Sequence, residues 1–228
     1  MPSFLRLGGS EIRTFAVVSQ KGGVGKSMIA RQLAVVAGET QPVILIDRDA
    51  KQGTTTKWWH RRQKLDPAPD TPTLLDLEGQ QLPSVVGALK RKPGVTFIDT
   101  RPAVEEQEAE AARVSDLVLV PVGTSLDDLE AVGDTLKMVR RIGRKTVIIV
   151  NAAKNEARAK DTRAALAAYP FAVCPAHLTD RSAFLDATTE GRGVSEMQGV
   201  GARAAEAELR AVWQWILEQG EELWRSGP

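Results

Sequence analysis

A glycine-rich loop with the residues to bind phosphate lies near the start of the chain. Residues 20–27 read QKGGVGKS, between an apolar run at 15–18 and a helix-like run at 28–37. Glycines let backbone N–H groups turn toward phosphate oxygens, and the N-terminus of the next helix adds a partial positive charge. Lys26 is placed to reach the β- and γ-phosphates, and the Ser27 hydroxyl to bind Mg²⁺. A glycine turn without a ligand is the alternative, but strand, loop and helix together favour phosphate binding.

Aspartates follow two further apolar runs, and they are the carboxylates that a phosphate-transfer site needs. Asp47 and Asp49 come after the run 43–46, and Asp99 comes after the run 95–98. A carboxylate facing the loop can hold Mg²⁺ or orient a water for in-line attack. Taken alone, each aspartate would more often be a helix cap or a turn residue. With the phosphate loop in the same chain, the functional interpretation is favoured.

The loop resembles the deviant Walker A motif of the ParA/MinD family of P-loop ATPases. The resemblance rests on Lys21, Gly22, Gly23, Val24, Gly25, Lys26 and Ser27. In that family the first lysine crosses a dimer interface to the partner's nucleotide. The resemblance therefore implies that Lys21 acts in a homodimer closed around two ATP molecules. Met28 stands where the family usually has a second hydroxyl residue near the α-phosphate, and we expect ATP binding to survive this change.

The aspartates resemble the two acidic motifs of the same family. By this resemblance Asp47 positions the attacking water, and Asp99 is the Walker B acid. Ser27, Asp47 and Asp99 would then surround the Mg²⁺ ion, and Lys21, Lys26 and Asp47 would carry catalysis.

Both acidic motifs depart from the family pattern. After Asp49 the chain reads AKQ where the family has PQ, so either Lys51 replaces the glutamine or one residue has been added. After Asp99 the family often has two prolines, whereas residues 100–102 read TRP. These departures bear on the rate and control of hydrolysis more than on ATP binding.

The resemblance extends over nearly the whole chain. Segments 121–127 and 178–194 resemble the family's segment after the fifth strand and its late loop and helix beside the adenine. Asn151 follows the run 147–150, where relatives contact adenine, so we expect it to bind the nucleotide. Asparagine after a strand is also a common turn former, and this alternative stays open. No helix-turn-helix segment precedes the first strand, so the chain is most similar to small single-domain ParA partition ATPases.

Basic residues suggest where DNA would bind. Partition ATPases of this family bind DNA without sequence preference once ATP has dimerised them. Positions in comparable segments are Arg181 and Arg203, with Lys154 and Arg158 as a neighbouring basic group. The alternative for that group is an ordinary solvated helix face.

The elements that must position these residues alternate along the chain. Apolar runs predict strands at 15–19, 43–46, 73–77, 95–98, 117–122, 146–150 and, more weakly, 171–174. Helix-like segments occupy 28–37, 82–90, 105–113, 126–142 and 158–168. Such alternation predicts an α/β fold with a doubly wound, mainly parallel sheet flanked by helices, as in P-loop NTPases. We expect one domain over residues 1–228, with residues 1–12 flexible.

The segment 202–224 predicts a C-terminal helix. Apolar residues recur along it at a spacing of 3.6, which favours a helix that covers the core. A membrane-binding helix would need a basic polar face, whereas glutamates outnumber arginines here. We therefore expect no membrane partner.

Composition restricts the class of protein. The 228 residues carry a formal net charge of +1, so binding to nucleic acid would need a local basic patch. Cys174 is the single cysteine, which excludes an intrachain disulfide and the paired cysteines of iron–sulfur ATPases. The start of the chain lacks the apolar core of a secretion signal, so a cytoplasmic location is expected.

These observations lead to one main functional hypothesis. The chain is expected to be a cytoplasmic, nucleoid-associated ParA-like ATPase that uses ATP and Mg²⁺. A ParB-like or analogous adaptor would stimulate its hydrolysis, and the cargo would be a plasmid, a chromosome region or a protein assembly. The alternatives are an ATP-binding DNA adaptor with slow or no hydrolysis, a MinD-like membrane-associated ATPase, and an amide- or carboxylate-activating synthetase.

Overall fold

A parallel sheet forms the centre of the fold. The computed structural model describes residues 13–49, 52–101 and 105–225, and its seven strands follow the order β3-β2-β4-β1-β5-β6-β7. They are β1 (Thr14–Val17), β2 (Val43–Asp47), β3 (Thr73–Leu74), β4 (Val95–Asp99), β5 (Leu117–Val122), β6 (Thr146–Ala153) and β7 (Ala172–Thr179). Every neighbouring pair is parallel, which confirms the predicted sheet. The expected flexibility of residues 1–12 concerns a segment outside the described part.

Helices cover both faces of the sheet. They are α1 (Lys26–Gly38), α2 (Thr54–Arg62), α3 (Leu82–Leu89), α4 (Glu105–Val114), α5 (Leu126–Ile142), α6 (Glu156–Leu166), α7 (Ser182–Glu190) and α8 (Val200–Arg225), with a 3-10 turn at Val194–Glu196. Side chains of α1, α7 and α8 form one buried cluster with the sheet. Side chains of α3, α4, α5 and α6 form the other. This is the doubly wound arrangement that the alternating elements predict.

The strands are apolar along their length because both sides of the sheet are covered. In β1, Phe15 and Val17 belong to the cluster under α1 and α8, whereas Ala16 belongs to the opposite cluster. All six residues of β5 are buried. Successive side chains in a strand point to opposite faces, so a strand buried on both faces reads as a continuous apolar run.

Several elements differ from the sequence-based expectation. The sequence patterns do not indicate α2, because its buried residues are Thr55, Trp58 and Arg62 and two of these are polar. β3 ends after Leu74 and not at residue 77, and β7 runs to Thr179 and not to 174. A proline and a histidine at 175 and 177 interrupt the apolar pattern of β7.

The C-terminal helix α8 packs on the core, as its spacing predicts. Ala205, Leu209, Val212 and Ile216 are buried, and Trp213 lies edge-on against Phe15 at a centroid distance of 5.5 Å. Its side chains beyond residue 219 lie outside the described part. Within the described residues, no helix is both long and apolar enough to cross a membrane.

Candidate nucleotide-binding site

The predicted site residues meet because three neighbouring strands end at the same edge of the sheet. β4 lies between β1 and β2, and its last residue, Asp99, is in register with Val17 of β1 and Asp47 of β2. The glycine-rich loop leaves β1 directly above this point and leads into α1. In open α/β sheets, ligands bind at the carboxyl ends of strands where the strand order reverses.

The loop has a conformation that favours glycine. Gly25 caps the N-terminus of α1 with a φ of +91°, and Gly23 has a φ of +80°. A Cβ on Gly25 would lie 2.2 Å from Nδ2 of Asn151 at the end of β6. The same Nδ2 donates a hydrogen bond to the Val24 carbonyl at 2.8 Å. Asn151 therefore supports the loop, and its expected contact with adenine stays a prediction.

Lys26 is held on the concave side of the loop. Its Nζ donates hydrogen bonds to the Ser19 carbonyl at 2.6 Å and to the Lys21 carbonyl at 3.1 Å. Burial lowers the pKa of Lys26, although the carboxylates of Glu108, Asp99 and Asp49 oppose the shift. The ammonium group is thus placed where the oxygens of a bound phosphate would meet it.

Lys21 is bound by a carboxylate of its own chain. Its Nζ lies 2.6 Å from Oδ1 of Asp128, in the first turn of α5. The other oxygen of Asp128 accepts hydrogen bonds from Ser125, which forms a capping box with it. Burial raises the pKa of Asp128, but hydrogen bonds from Lys21 and Ser125 outweigh it and hold the pKa below its usual value. The expected role of Lys21 in a second subunit stays a prediction.

Asp99 is fully buried beneath the loop. Burial raises its pKa to about 6, while the hydrogen bond from Thr55 opposes the shift and the carboxylate of Asp47 adds to it. Oδ2 accepts the Thr55 hydroxyl at 2.7 Å, whereas Oδ1 is buried without a hydrogen-bond partner in the described part of the chain. An unpaired buried oxygen is costly, so this atom is suited to a cation.

These donors fit a magnesium ion. The side chain of Ser27 is close enough to Asp99 to favour its charged form, so a hydroxyl and a carboxylate are neighbours here. Mg²⁺ prefers oxygen ligands and is commonly held by one or two carboxylates together with substrate phosphates.

Asp47 is engaged by its own chain. Its Oδ1 accepts a hydrogen bond from the Asp49 backbone N–H, and its Oδ2 accepts both the backbone N–H and the hydroxyl of Thr56, each at 2.9 Å. Asp47 thereby holds the first turn of α2. It lines a neighbouring cavity of about 230 Å³ together with Leu74 and Asp76. Its expected roles toward water and Mg²⁺ stay predictions.

A cavity of about 260 Å³ lies in front of the loop. It is lined by Gly23, Gly25, Lys26, Ser27, Met28, Arg31, Asp49, Gln52, Thr54 and Thr100. Gln52 lines this cavity and Lys51 lies outside the described residues, so an added residue and a replaced glutamine both stay open. Arg31, Thr54 and Thr100 are lining residues that the motifs do not single out. The signal for Arg31 was its spacing, four residues after Ser27 on the same face of α1.

The four expected DNA contacts differ in their surroundings. Lys154 and Arg158 are exposed and line a cavity of about 300 Å³ with Thr124, Ser125 and Leu126. Arg203 is exposed on α8. Arg181 is paired with Glu208, with Nη2 and Oε1 2.7 Å apart. The positive charge of Arg181 is therefore largely offset by a neighbour.

Sequence comparisons agree with this geometry. The pattern of the family described as the CobQ/CobB/MinD/ParA nucleotide binding domain matches residues 15–194. The chain is also 27% identical over 207 residues to "Maintenance of carboxysome distribution protein A" of Gloeobacter kilaueensis, covering 88% of this chain and 92% of the relative.

Solved structures share the fold. A variant of McdA from Cyanothece in complex with ATP has a TM-score of 0.71 at 19% identity and covers 91% of this chain and 97% of that chain. A plasmid partition protein of Borrelia burgdorferi bound to AMPPNP has a TM-score of 0.66 at 18% identity, covering 90% and 99%. The cell division ATPase MinD of Pyrococcus furiosus has a TM-score of 0.71 at 17% identity, also covering 90% and 99%.

Proposed function

Because the chain belongs to the CobQ/CobB/MinD/ParA nucleotide-binding family, we propose that it is an ATPase that positions or segregates a cargo. ATP drives formation of a homodimer, the dimer binds DNA without sequence preference, and a ParB-like or analogous adaptor stimulates hydrolysis. The cargo is a plasmid, a chromosome region or a protein assembly, and the site of action is the nucleoid in the cytoplasm. The observation that carries this proposal is the loop with Lys21 and Lys26 at the carboxyl end of β1.

The proposed chemistry follows from the residues around the cavity. The loop N–H groups and Lys26 hold the β- and γ-phosphates, and Met28 lies near the α-phosphate. Ser27 and Asp99 hold Mg²⁺, which supplies positive charge to the phosphates when bound. Asp47 orients the attacking water. Phosphoryl transfer depends mainly on such positioning and charge stabilisation.

Lys21 provides the switch between the free chain and the dimer. In the single chain its ammonium binds Asp128 of α5. In the dimer it exchanges this carboxylate for the phosphates of the nucleotide in the other subunit. ATP thereby stabilises the dimer, because a ligand shifts an equilibrium by binding one state better than the other.

The relatives support both kinds of cargo. The curated relative maintains carboxysome distribution, and one structural neighbour is a plasmid partition protein. A protein assembly and a DNA element therefore both remain within the proposal.

Binding to a fluorescent DNA duplex of arbitrary sequence tests the proposal. The duplex is titrated with ATP, ADP or no nucleotide at two salt concentrations. We expect ATP-dependent binding that weakens with salt and is lost in Lys21→Ala. The matched control is Lys137→Ala, because Lys137 is an exposed lysine of α5 that pairs with Asp134 away from the loop. Equal absence of binding in all three nucleotide states would contradict the DNA switch, and vesicle sedimentation would then test the MinD-like alternative.

An ATP-binding DNA adaptor that does not hydrolyse ATP is the second candidate. It is favoured by one observation, since both carboxylate oxygens of Asp47 accept hydrogen bonds from Asp49 and Thr56. Phosphate release from the wild-type protein and from Asp47→Ala separates the two functions. The ATPase predicts release that Asp47→Ala abolishes while ATP binding persists. No release from the wild-type protein, with and without DNA, would favour the adaptor.

A further inference from the structure

A second buried cation lies in the loop cavity, beyond those that the motifs explain. Arg31 is in the second turn of α1, is only 3% exposed and lines the same cavity as Lys26 and Ser27. Residues four apart lie on one face of a helix, and helical side chains lean toward its N-terminus. The guanidinium therefore extends from α1 toward the Ser27 side of the phosphate pocket.

Two nitrogens of the Arg31 guanidinium have no hydrogen-bond partner in the described part of the chain. Its Nε and Nη1 are buried and have no hydrogen-bond partner among residues 13–49, 52–101 and 105–225. A guanidinium carries five N–H donors and keeps its charge in proteins. Buried donors are almost always paired, so a cavity-lining side chain with two unpaired buried nitrogens is suited to an anionic ligand.

Among the described residues, no carboxylate forms a salt bridge with Arg31. Burial lowers the pKa of Arg31 to about 10, with Asp99 and Asp47 opposing the shift and Arg61 adding to it. Oδ1 of Asp99 is itself without a hydrogen-bond partner in the described residues. Arg31 is thus near the carboxylates of Asp99 and Asp47 but is not hydrogen-bonded to Oδ1 of Asp99. The guanidinium of Arg61 repels it. A phosphate between these groups would satisfy the open donors and screen that repulsion.

We propose that Arg31 is a further nucleotide-binding residue, whose guanidinium donates a pair of hydrogen bonds to phosphate oxygens of bound ATP. This inference rests on the proposed function, because it takes ATP as the ligand of the cavity. Arginine suits the role, since its planar fork matches phosphate oxygens in a way that lysine cannot. Arg31 supplies a charge that stays in the pocket in the absence of magnesium.

The competing explanation is that Arg31 acts only as a counter-ion for Asp99. Both explanations predict weaker nucleotide binding when Arg31 is removed. They differ when Asp99 is neutralised, because a counter-ion then has nothing to neutralise. A hydrogen bond from Arg31 to phosphate does not depend on the charge of Asp99, so removing Arg31 still weakens binding in that background.

Calorimetry on the purified full chain tests the proposal. Binding is measured for ATP with Mg²⁺ and for tripolyphosphate in EDTA, which reports the phosphate contact without adenine or metal. We expect Arg31→Gln to weaken both ligands by about 10-fold or more. The matched control is Arg61→Gln, a neighbouring guanidinium with a buried, unpaired Nε that does not line the cavity. It should change affinity by less than about threefold.

The same loss is expected when Arg31→Gln is made in an Asp99→Asn background. A loss that disappears in this background would assign Arg31 to Asp99 and overturn the proposal, as would equal affinities of wild type and Arg31→Gln. No binding of either ligand by the wild-type chain would overturn the proposed function itself.

Thermal unfolding checks that each variant is folded. If Arg31→Gln does not fold, Arg31→Lys replaces it, since lysine keeps the charge and loses the fork. A several-fold loss of tripolyphosphate affinity in Arg31→Lys would support the proposal, and wild-type affinity would overturn it.

Discussion

Two carboxylates of the site show how one residue type is adapted to different tasks. Asp99 is buried with one oxygen unpaired, and burial raises its pKa to about 6. Asp128 lies at the start of α5, where Lys21 and Ser125 hold its pKa below the usual value. Asp99 is suited to binding a cation, whereas Asp128 binds Lys21 of its own chain.

Asp99 should make the stability of the free protein depend on pH. Its pKa is about 6 in the folded chain against an ordinary value of 3.8, so between these values the folded state binds more protons than the unfolded state. This group therefore stabilises the folded state fully below about pH 4. Its contribution to the free energy of unfolding, about 2–3 kcal/mol, is lost as the pH rises through 6.

Asp99→Asn should remove this slope and raise the free energy of unfolding at pH 7. Urea denaturation of both proteins between pH 4 and pH 7.5 measures the difference. Parallel curves for the wild type and the variant would show that Asp99 ionises normally.

Asp128→Asn should ease dimer formation with ATP. Asparagine can still accept hydrogen bonds from Ser125, but it loses the charge that binds Lys21, so less free energy is needed to release the lysine. A partly exposed ion pair is worth about 0.2–1 kcal/mol and a dimer contains two of them, which corresponds to a dimer that forms at up to about 30-fold lower protein concentration. Sedimentation velocity with ATP measures this shift. Asp134→Asn, which breaks an exposed pair with Lys137, is the control and should leave the dimer unchanged.

At the scale of the element, the phosphate loop depends on its neighbours as much as on its own glycines. The hydrogen bond from Asn151 to Val24 connects the loop to the end of β6, about 130 residues later in the chain. The left-handed φ of Gly25 starts α1 directly after the turn. A local turn and a distant strand therefore both determine the conformation of the loop.

Alanine at two glycines separates backbone strain from steric conflict. Gly23 and Gly25 both have positive φ, but a Cβ meets nothing within 4 Å at Gly23 and lies 2.2 Å from Asn151 at Gly25. Gly23→Ala should add only the strain of a left-handed backbone, which costs about 1 kcal/mol of conformational free energy. Gly25→Ala should also displace Asn151 and abolish measurable ATP binding.

Calorimetry with ATP on both variants checks this difference. Gly25→Ala combined with Asn151→Ala should recover part of the affinity if the conflict is steric. Equal losses at the two glycines would indicate that strain alone is responsible.

Helix α8 contributes to the core through its tryptophan. Trp213 packs against Phe15 at 5.5 Å and against Phe97 at 5.9 Å, and these two rings stack on each other across β1 and β4. Trp213→Ala should lower the free energy of unfolding by about 3–5 kcal/mol. Trp215→Ala is the control, since this residue of the same helix is half-buried and should cost less. Equal effects in urea denaturation would contradict the core role of Trp213.

At the scale of the whole molecule, the proposed DNA surface must arise from the distribution of charge. The formal net charge is only +1, so no general attraction to DNA is available. Lys154 and Arg158 are exposed beside a cavity at the ends of β5 and β6, whereas Arg181 is bound to Glu208. The first two are therefore better placed to meet phosphates than the third.

Lys154→Glu with Arg158→Glu should weaken binding to arbitrary DNA in the presence of ATP and reduce its salt dependence. Each lost phosphate contact lowers the slope of log affinity against log salt by about 1. Arg181→Gln should have a smaller effect, because its charge is already offset by Glu208. Salt titrations of fluorescent DNA binding compare the variants. A larger effect from Arg181→Gln would place the DNA surface near the start of α7.

Local patterns in the sequence were enough to predict the sheet, most helices and the phosphate loop. This follows because glycine conformation, apolar runs and helix periodicity depend on residues close together in the chain. The positions of Asp47 and Asp99 could also be anticipated, since both follow apolar strands and parallel strands end at a common edge. Helix α2 could not, because it buries polar residues that become satisfied only by distant partners, such as Thr55 by Asp99.

Contacts between remote segments were decided only by the tertiary structure. These include the support of the loop by Asn151, the retention of Lys21 by Asp128, the position of Gln52 in the cavity and the unpaired guanidinium of Arg31. The spacing from Ser27 indicates the helix face of Arg31, but the partners of all these groups depend on which side chains the packing of helices and strands brings together. The sequence by itself determined that a glycine-rich loop follows the first strand and leads into a helix, and the tertiary structure decided which charges surround it.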